Sequence, residues 1–105
     1  MKAPKPNSDQ VATWMKALSS PARVRIAQMI QNKALCVKAI AARLNMSQPA
    51  VSQHLRVLRH AGLVIPEKRG YYVHYRLDQL TLARCLRQLH GLVSGPRRNR
   101  HDQKR

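Results

Sequence analysis

A mostly helical domain carrying one β-hairpin is what the sequence predicts, and three observations predict it. Residues Ser47 to Val64 read as a capped amphipathic helix with a glycine stop; past Gly62 the apolar period changes from helical to twofold; and 20 Lys and Arg stand against 4 Asp and Glu, a formal net charge of +16 in 105 residues. A short helix, a tight turn, a second helix and a basic hairpin, in that order, make a winged helix-turn-helix. The charge calls for a polyanionic partner, without by itself separating DNA from RNA or an anionic membrane, and the reader helix points to duplex DNA.

The chain divides into a flexible basic N-terminal arm over residues 1–8, one domain over 9–94 and a basic tail over 95–105. Both arms hold Pro, Asn and cations with almost nothing apolar, the composition of segments that do not fold alone. Val11, Trp14, Met15 and Leu18 then form one helical stripe. A second helix runs from Pro21 to Gln31, with Ser20 as its cap, Pro21 in its first turn and Val24, Ile26, Ala27 and Ile30 on its inner side. The reader begins with Val37 to Leu44, whose apolar side is Ile40, Ala41 and Leu44, and Asn45 and Met46 connect it to the next helix.

That next helix, 47–60, is the most informative element. Val51, Leu55 and Leu58 at i, i+4, i+7 face a core, Ser47 can cap the first turn, and Gly62 can take the left-handed conformation that ends it. The opposite face carries Gln48, Pro49, Ser52, Gln53 and Arg56, with Arg59 a turn further on. All but Pro49 are residue types that hydrogen-bond base edges or phosphates in a major groove. Gln48, Ser52 and Gln53 are the candidates for bases; Ser47, Arg56 and Arg59 for phosphates.

The wing is expected over residues 63–77. Leu63 to Glu67 is its first strand, Lys68, Arg69 and Gly70 its basic turn, and Tyr71, Val73, Tyr75 and Leu77 alternate inward against Tyr72, His74 and Arg76. Lys68, Arg69 and the outward His74 are candidates for the backbone or minor groove; the alternative is that Lys68 and Arg69 merely solvate a loop. Asp78 is placed to cap a last helix to Val93, whose stripe is Leu82, Leu86, Leu89 and Val93. The first and last stripes can pack across a twofold axis, since a domain this small buries a limited core of its own.

The chain resembles the ArsR/SmtB family of bacterial winged-helix repressors. The residues that carry the likeness are Ala17 to Arg23, Leu35 to Val37, Ser47 to Val64, and Gly70, Val73, Tyr75, Arg76 and Leu77 of the wing. The resemblance implies a homodimer joined through the first and last helices, bound to operator DNA and released by an inducer. It also exposes departures. A soft-metal site of the family needs a second thiolate two residues after Cys36, where this chain has Lys38, an ammonium with no lone pair to give. The last helix offers only Asp78, Cys85 and His90 as ligands, with Cys85 and His90 five apart on diverging faces. The wing position after Gly70, often Arg in the family, is Tyr71, which leaves Arg69 for the minor groove.

No metal or other cofactor is therefore expected, and the inducer is unnamed. Cys36, at the positive end of a helix with Lys38 nearby, is a candidate thiol switch, alone or with Cys85; Cys85 is otherwise a small buried apolar residue. His54 reads as a packing histidine, and His60 suits the negative end of its helix. With four acids, no phosphate loop and no nucleophile beside a base, the chain reads as no enzyme. It has no signal peptide and no apolar run long enough for a bilayer, so it is expected in the cytoplasm, away from membranes. Two readings stay open: a sequence-specific homodimeric repressor on double-stranded DNA, thiol-sensing rather than metal-sensing, and an architectural winged-helix protein with little sequence preference and no inducer.

Overall fold

The computed structural model describes residues 8–93, so the tail over 95–105, His101 and all of the N-terminal arm but Ser8 lie outside it. The elements follow in the order α1 (Ser8–Ala17), α2 (Pro21–Met29), β1 (Leu35–Cys36), α3 (Val37–Leu44), α4 (Gln48–His60), β2 (Val64–Arg69), β3 (Tyr72–Leu77) and α5 (Gln79–Val93). Ser8, counted with the arm for its polarity, is the first residue of α1.

The starts of α2, α4 and α5 and the ends of α3 and α4 have local causes. The Ser20 hydroxyl accepts from the Arg23 amide ahead of Pro21, and the Ser47 hydroxyl accepts from the Ala50 amide. Asn45 ends α3 at φ 56, with its own amide on the Ala42 carbonyl and that of Met46 on Ala41. Gly62 ends α4 at φ 79 with the same pair of bonds, Gly62 to Arg59 and Leu63 to Leu58. Both are Schellman endings, which satisfy the last carbonyls and turn the chain sharply. The Asp78 carboxylate caps α5, accepting from the Thr81 amide and the Thr81 hydroxyl.

Trp14, Ile26, Ile30, Ile40, Val51, Leu55, Leu58 and Leu63 are almost wholly buried and weld α1 to α4 around one core. Val24, expected inside, is 37% exposed, because at helical spacing it points away from the face of α2 that Ile26 and Ile30 bury. On α5, Leu82 and Leu89 pack against the core while Leu86 and Val93 stay exposed.

The sheet has three strands in the order β1-β3-β2, all antiparallel. β1 was not expected: Leu35 pairs with Tyr75 and Cys36 with His74, so β3 is the central strand. The hairpin turn is also shorter than the sequence suggested. Lys68 and Arg69 pair with Val73 and Tyr72, leaving Gly70 and Tyr71 as a two-residue loop. Gly70 has φ 64 and Tyr71 has no positive φ, the pattern of a type II′ turn, which matches the twist of the strands it joins. The base of the wing is tied to the body by the Leu77 amide on Ile30 and the Asp78 amide on Leu63.

Candidate nucleic-acid interface

The core side of α4 holds Val51, Leu55 and Leu58, and this burial fixes what the helix shows to solvent. Gln48, Pro49, Gln53, Arg56 and Arg59 are exposed, Ser47 is exposed at the cap, and Ser52 is half-buried. Arg56 Nη1 donates to Gln53 Oε1 at 3.1 Å, so the two long side chains are already aligned on one face. Ser47 spends an acceptor on the cap, and its hydroxyl proton is free to donate.

His54 is on the other side and is a packing histidine, as its position beside Leu55 suggested. Arg23 Nη1 lies 3.2 Å from His54 Nδ1, and a guanidinium can only donate, so Nδ1 accepts and the ring proton sits on Nε2. The same guanidinium donates from Nε to the Ala17 carbonyl at 2.7 Å and from Nη2 to Lys16 at 3.2 Å. One side chain thus closes the end of α1 and steadies α4.

At the wing, Glu67 accepts from Arg76 and from Arg69, the latter at 2.9 Å. The Arg76 bond above all, with the Arg69 bond second, holds the Glu67 carboxyl below its ordinary range. This changes the expected distribution of roles. Arg69 is engaged within the wing, whereas the Lys68 side chain is exposed with no ion pair or hydrogen bond among the described residues. Tyr71 and Tyr72 do not alternate as the strand pattern suggested: Tyr71 is 99% exposed at the tip and Tyr72 58%. Inward burial is confined to Tyr75 and Leu77 at the base, where β2 and β3 meet the body.

His74, expected on the open face of the wing, is half-buried on the central strand, and its Nδ1 is buried without a partner. β1 is the reason, since it pairs the strand edge that a two-stranded hairpin would leave free. Cys36 precedes α3 at its capping position, makes no capping bond and is half-buried opposite His74. Cys85 is 1% exposed within the core, and burial pushes its thiol pKa up, so it stays a protonated thiol at neutral pH. Both cysteines are free. No three His, Cys, Asp or Glu among the described residues stand together as a metal would need, and no described helix is long and apolar enough to cross a membrane.

Comparison with known proteins agrees with this geometry. The bacterial regulatory protein, arsR family, matches residues 20–65, from the cap of α2 through α3 and α4 into β2. The biofilm growth-associated repressor of Agrobacterium fabrum is 33% identical over 90 residues, covering 86% of this chain and 77% of the relative. An ArsR-like transcriptional regulator from Rhodococcus sp. RHA1 superposes with a TM-score of 0.82 at 27% identity, covering 91% of both chains. The homodimeric winged helix-turn-helix DNA-binding domain of Mb0332 from Mycobacterium bovis superposes at 0.66 and 27% identity, covering 85% of this chain and 86% of that one. The matches span the reader, the wing and the outer helices together, and the chain belongs to the arsR family of bacterial regulatory proteins, which are DNA-binding transcriptional regulators.

Proposed function

We propose that this protein is a sequence-specific homodimeric repressor that sets α4 in the major groove of its operator and the wing against the adjoining backbone. The observation that carries the reading is the exposed face of α4, where Gln48, Gln53, Arg56 and Arg59 meet solvent with no acid among them. Gln48, Ser52 and Gln53 read bases; Ser47, Arg56 and Arg59 hold phosphates; Pro49 starts the helix where a backbone donor is not needed. In the wing, Lys68 supplies the phosphate contact, because Arg69 is shared with Glu67.

The two acids that could repel DNA near the reader, Glu67 and Asp78, are both neutralised or occupied, by two arginines and by a helix cap. Cys36 is the thiol through which an oxidant would act on the reader, since it abuts α3 and the central strand, whereas Cys85 is out of reach in the core.

Fluorescence anisotropy on the protein's own upstream DNA and on a scrambled duplex, at physiological salt, tests the reading. A preference of about 10³ or more is expected of a specific regulator. Gln53→Ala should cost about 1–3 kcal/mol on the preferred duplex and little on the scrambled one. Equal affinity for both duplexes, extended to a library of random sites, would instead favour a DNA-coating protein, the reading that the +16 charge alone supports.

A further inference from the structure

Between α1 and the C-terminal half of α4 lies a cleft of about 330 Å³. Its walls are Thr13, Ala17, Val57 and Ala61, and its surface is almost wholly apolar. Lys16, Arg56 and His60 also line it, all three on exposed positions, as long side chains do when an apolar stem covers a wall and a polar end stays in water. No acid lines it. Val57 is 37% exposed there, an apolar side chain in the middle of a helix whose outer face is otherwise polar.

This cleft is distinct from the one between α1 and α5, which is lined by Ser8, Val11, Ala12, Gln88 and Leu92 and adjoins the exposed leucines of α5. The exposed leucines of α5 do not line the α1/α4 cleft.

We propose that the α1/α4 cleft binds a small amphipathic organic anion, an apolar body with a carboxylate head, and that this ligand draws Arg56 away from DNA. Apolar walls take the body, and the cations at the mouth select the sign of the head; small-molecule sites commonly combine the two. The volume is near the lower end of such sites, about 300–1,000 Å³, which sets the size of the ligand. The coupling follows from Arg56. Its guanidinium donates to Gln53 on the reading face, yet the same residue lines the cleft. A carboxylate in the cleft offers it a charge-assisted bond stronger than the neutral amide does. Turning to it, Arg56 leaves both Gln53 and the phosphate. The coupling therefore rests on the DNA reading above; the cleft itself does not. By linkage, DNA must weaken the ligand by the factor that the ligand weakens DNA.

The test uses octanoate below its micelle threshold, with octanol as the neutral control, on the full chain. Octanoate is expected to shift the backbone amide resonances of Thr13, Lys16, Ala17, Val57 and Ala61, and octanol to bind about tenfold more weakly or worse. Saturating octanoate should lower affinity for the preferred duplex about fivefold or more. Lys16→Gln should weaken octanoate while leaving duplex affinity without octanoate within about twofold, since one of many cations is lost. Equal binding of octanol and octanoate, shifts confined to α5, or no shifts at all would overturn the site. Shifts at the cleft with unchanged duplex affinity would overturn the coupling. A protein that takes octanoate but binds no duplex in its absence overturns the DNA reading and the coupling with it, and the amide shifts alone then decide the site.

Discussion

Arg23 sits on α2, yet its three bonds go to the carbonyls of Lys16 and Ala17 and to His54 of α4. Its fork is planar and permanently charged, so it can serve acceptors on two elements at once; a lysine ammonium is a point charge and cannot reproduce that geometry. Arg23→Lys is expected to lose about 1.5–3 kcal/mol, the worth of hydrogen bonds from a charged group. Urea unfolding should show a lower midpoint at unchanged slope. An unchanged midpoint would mean that water replaces these bonds at no net loss. The partners lie 6, 7 and 31 residues away in sequence, which is why no local pattern revealed them. The same limit hid the surroundings of His74: a residue's face is legible from its period, but whether another strand covers it is not. Gln53 and Arg56 were legible because their neighbours on α4 alone determine their exposure.

The helices could be read from the chain because their causes are local. The apolar spacing of α4, the Ser47 and Ser20 caps and the Gly62 stop all act within a few residues. β1 could not, since two residues carry no period and exist as a strand only by pairing with β3. The wing lies between these cases. Alternation fixed its strands, but the turn came out two residues long because Gly70 alone supplies the positive φ that closes it. Glu67 then clamps the strands through Arg76 across the pair and Arg69 along its own strand. A carboxyl held below its ordinary range stabilises the fold at neutral pH, above its unfolded-state value. That contribution is lost as pH falls through the lowered folded-state value. The site is exposed, so the effect belongs to the wing and not to global stability. Amide resonances from Lys68 to Val73 should therefore shift together at acid pH, below the ordinary carboxylate range, while those of α4 stay put. Glu67→Gln should abolish that transition and free Arg69, strengthening binding to scrambled duplex. A wing whose acid transition survives the substitution is not clamped by Glu67.

At the scale of the molecule, the unmatched feature is α5. Leu80, Leu86, Leu92 and Val93 are 79%, 59%, 77% and 86% exposed, while Leu82, Cys85 and Leu89 on the same helix face the core. A helix that is apolar on both sides can pack against two partners, and the described residues supply one. The proposed homodimer answers this: a second copy related by a twofold axis would present the same stripe in return. In the proposed homodimer the charge that meets DNA would double, from +16 to twice +16, and two copies of α4 would face one duplex. Leu86→Glu puts a carboxylate in each half of that interface and, across the axis, sets like charges close together. The variant is expected to sediment as a folded monomer with unchanged helix content, since Leu86 is outside the core. Its affinity for duplex should fall, and the slope of log affinity against log salt should drop to about half, as each bound unit now releases half the counterions. A variant that stays dimeric would move the interface to another face. A monomer that keeps the full salt slope would show instead that one protomer and its own cations account for the contact, leaving dimerisation to set only the spacing of two independent readers.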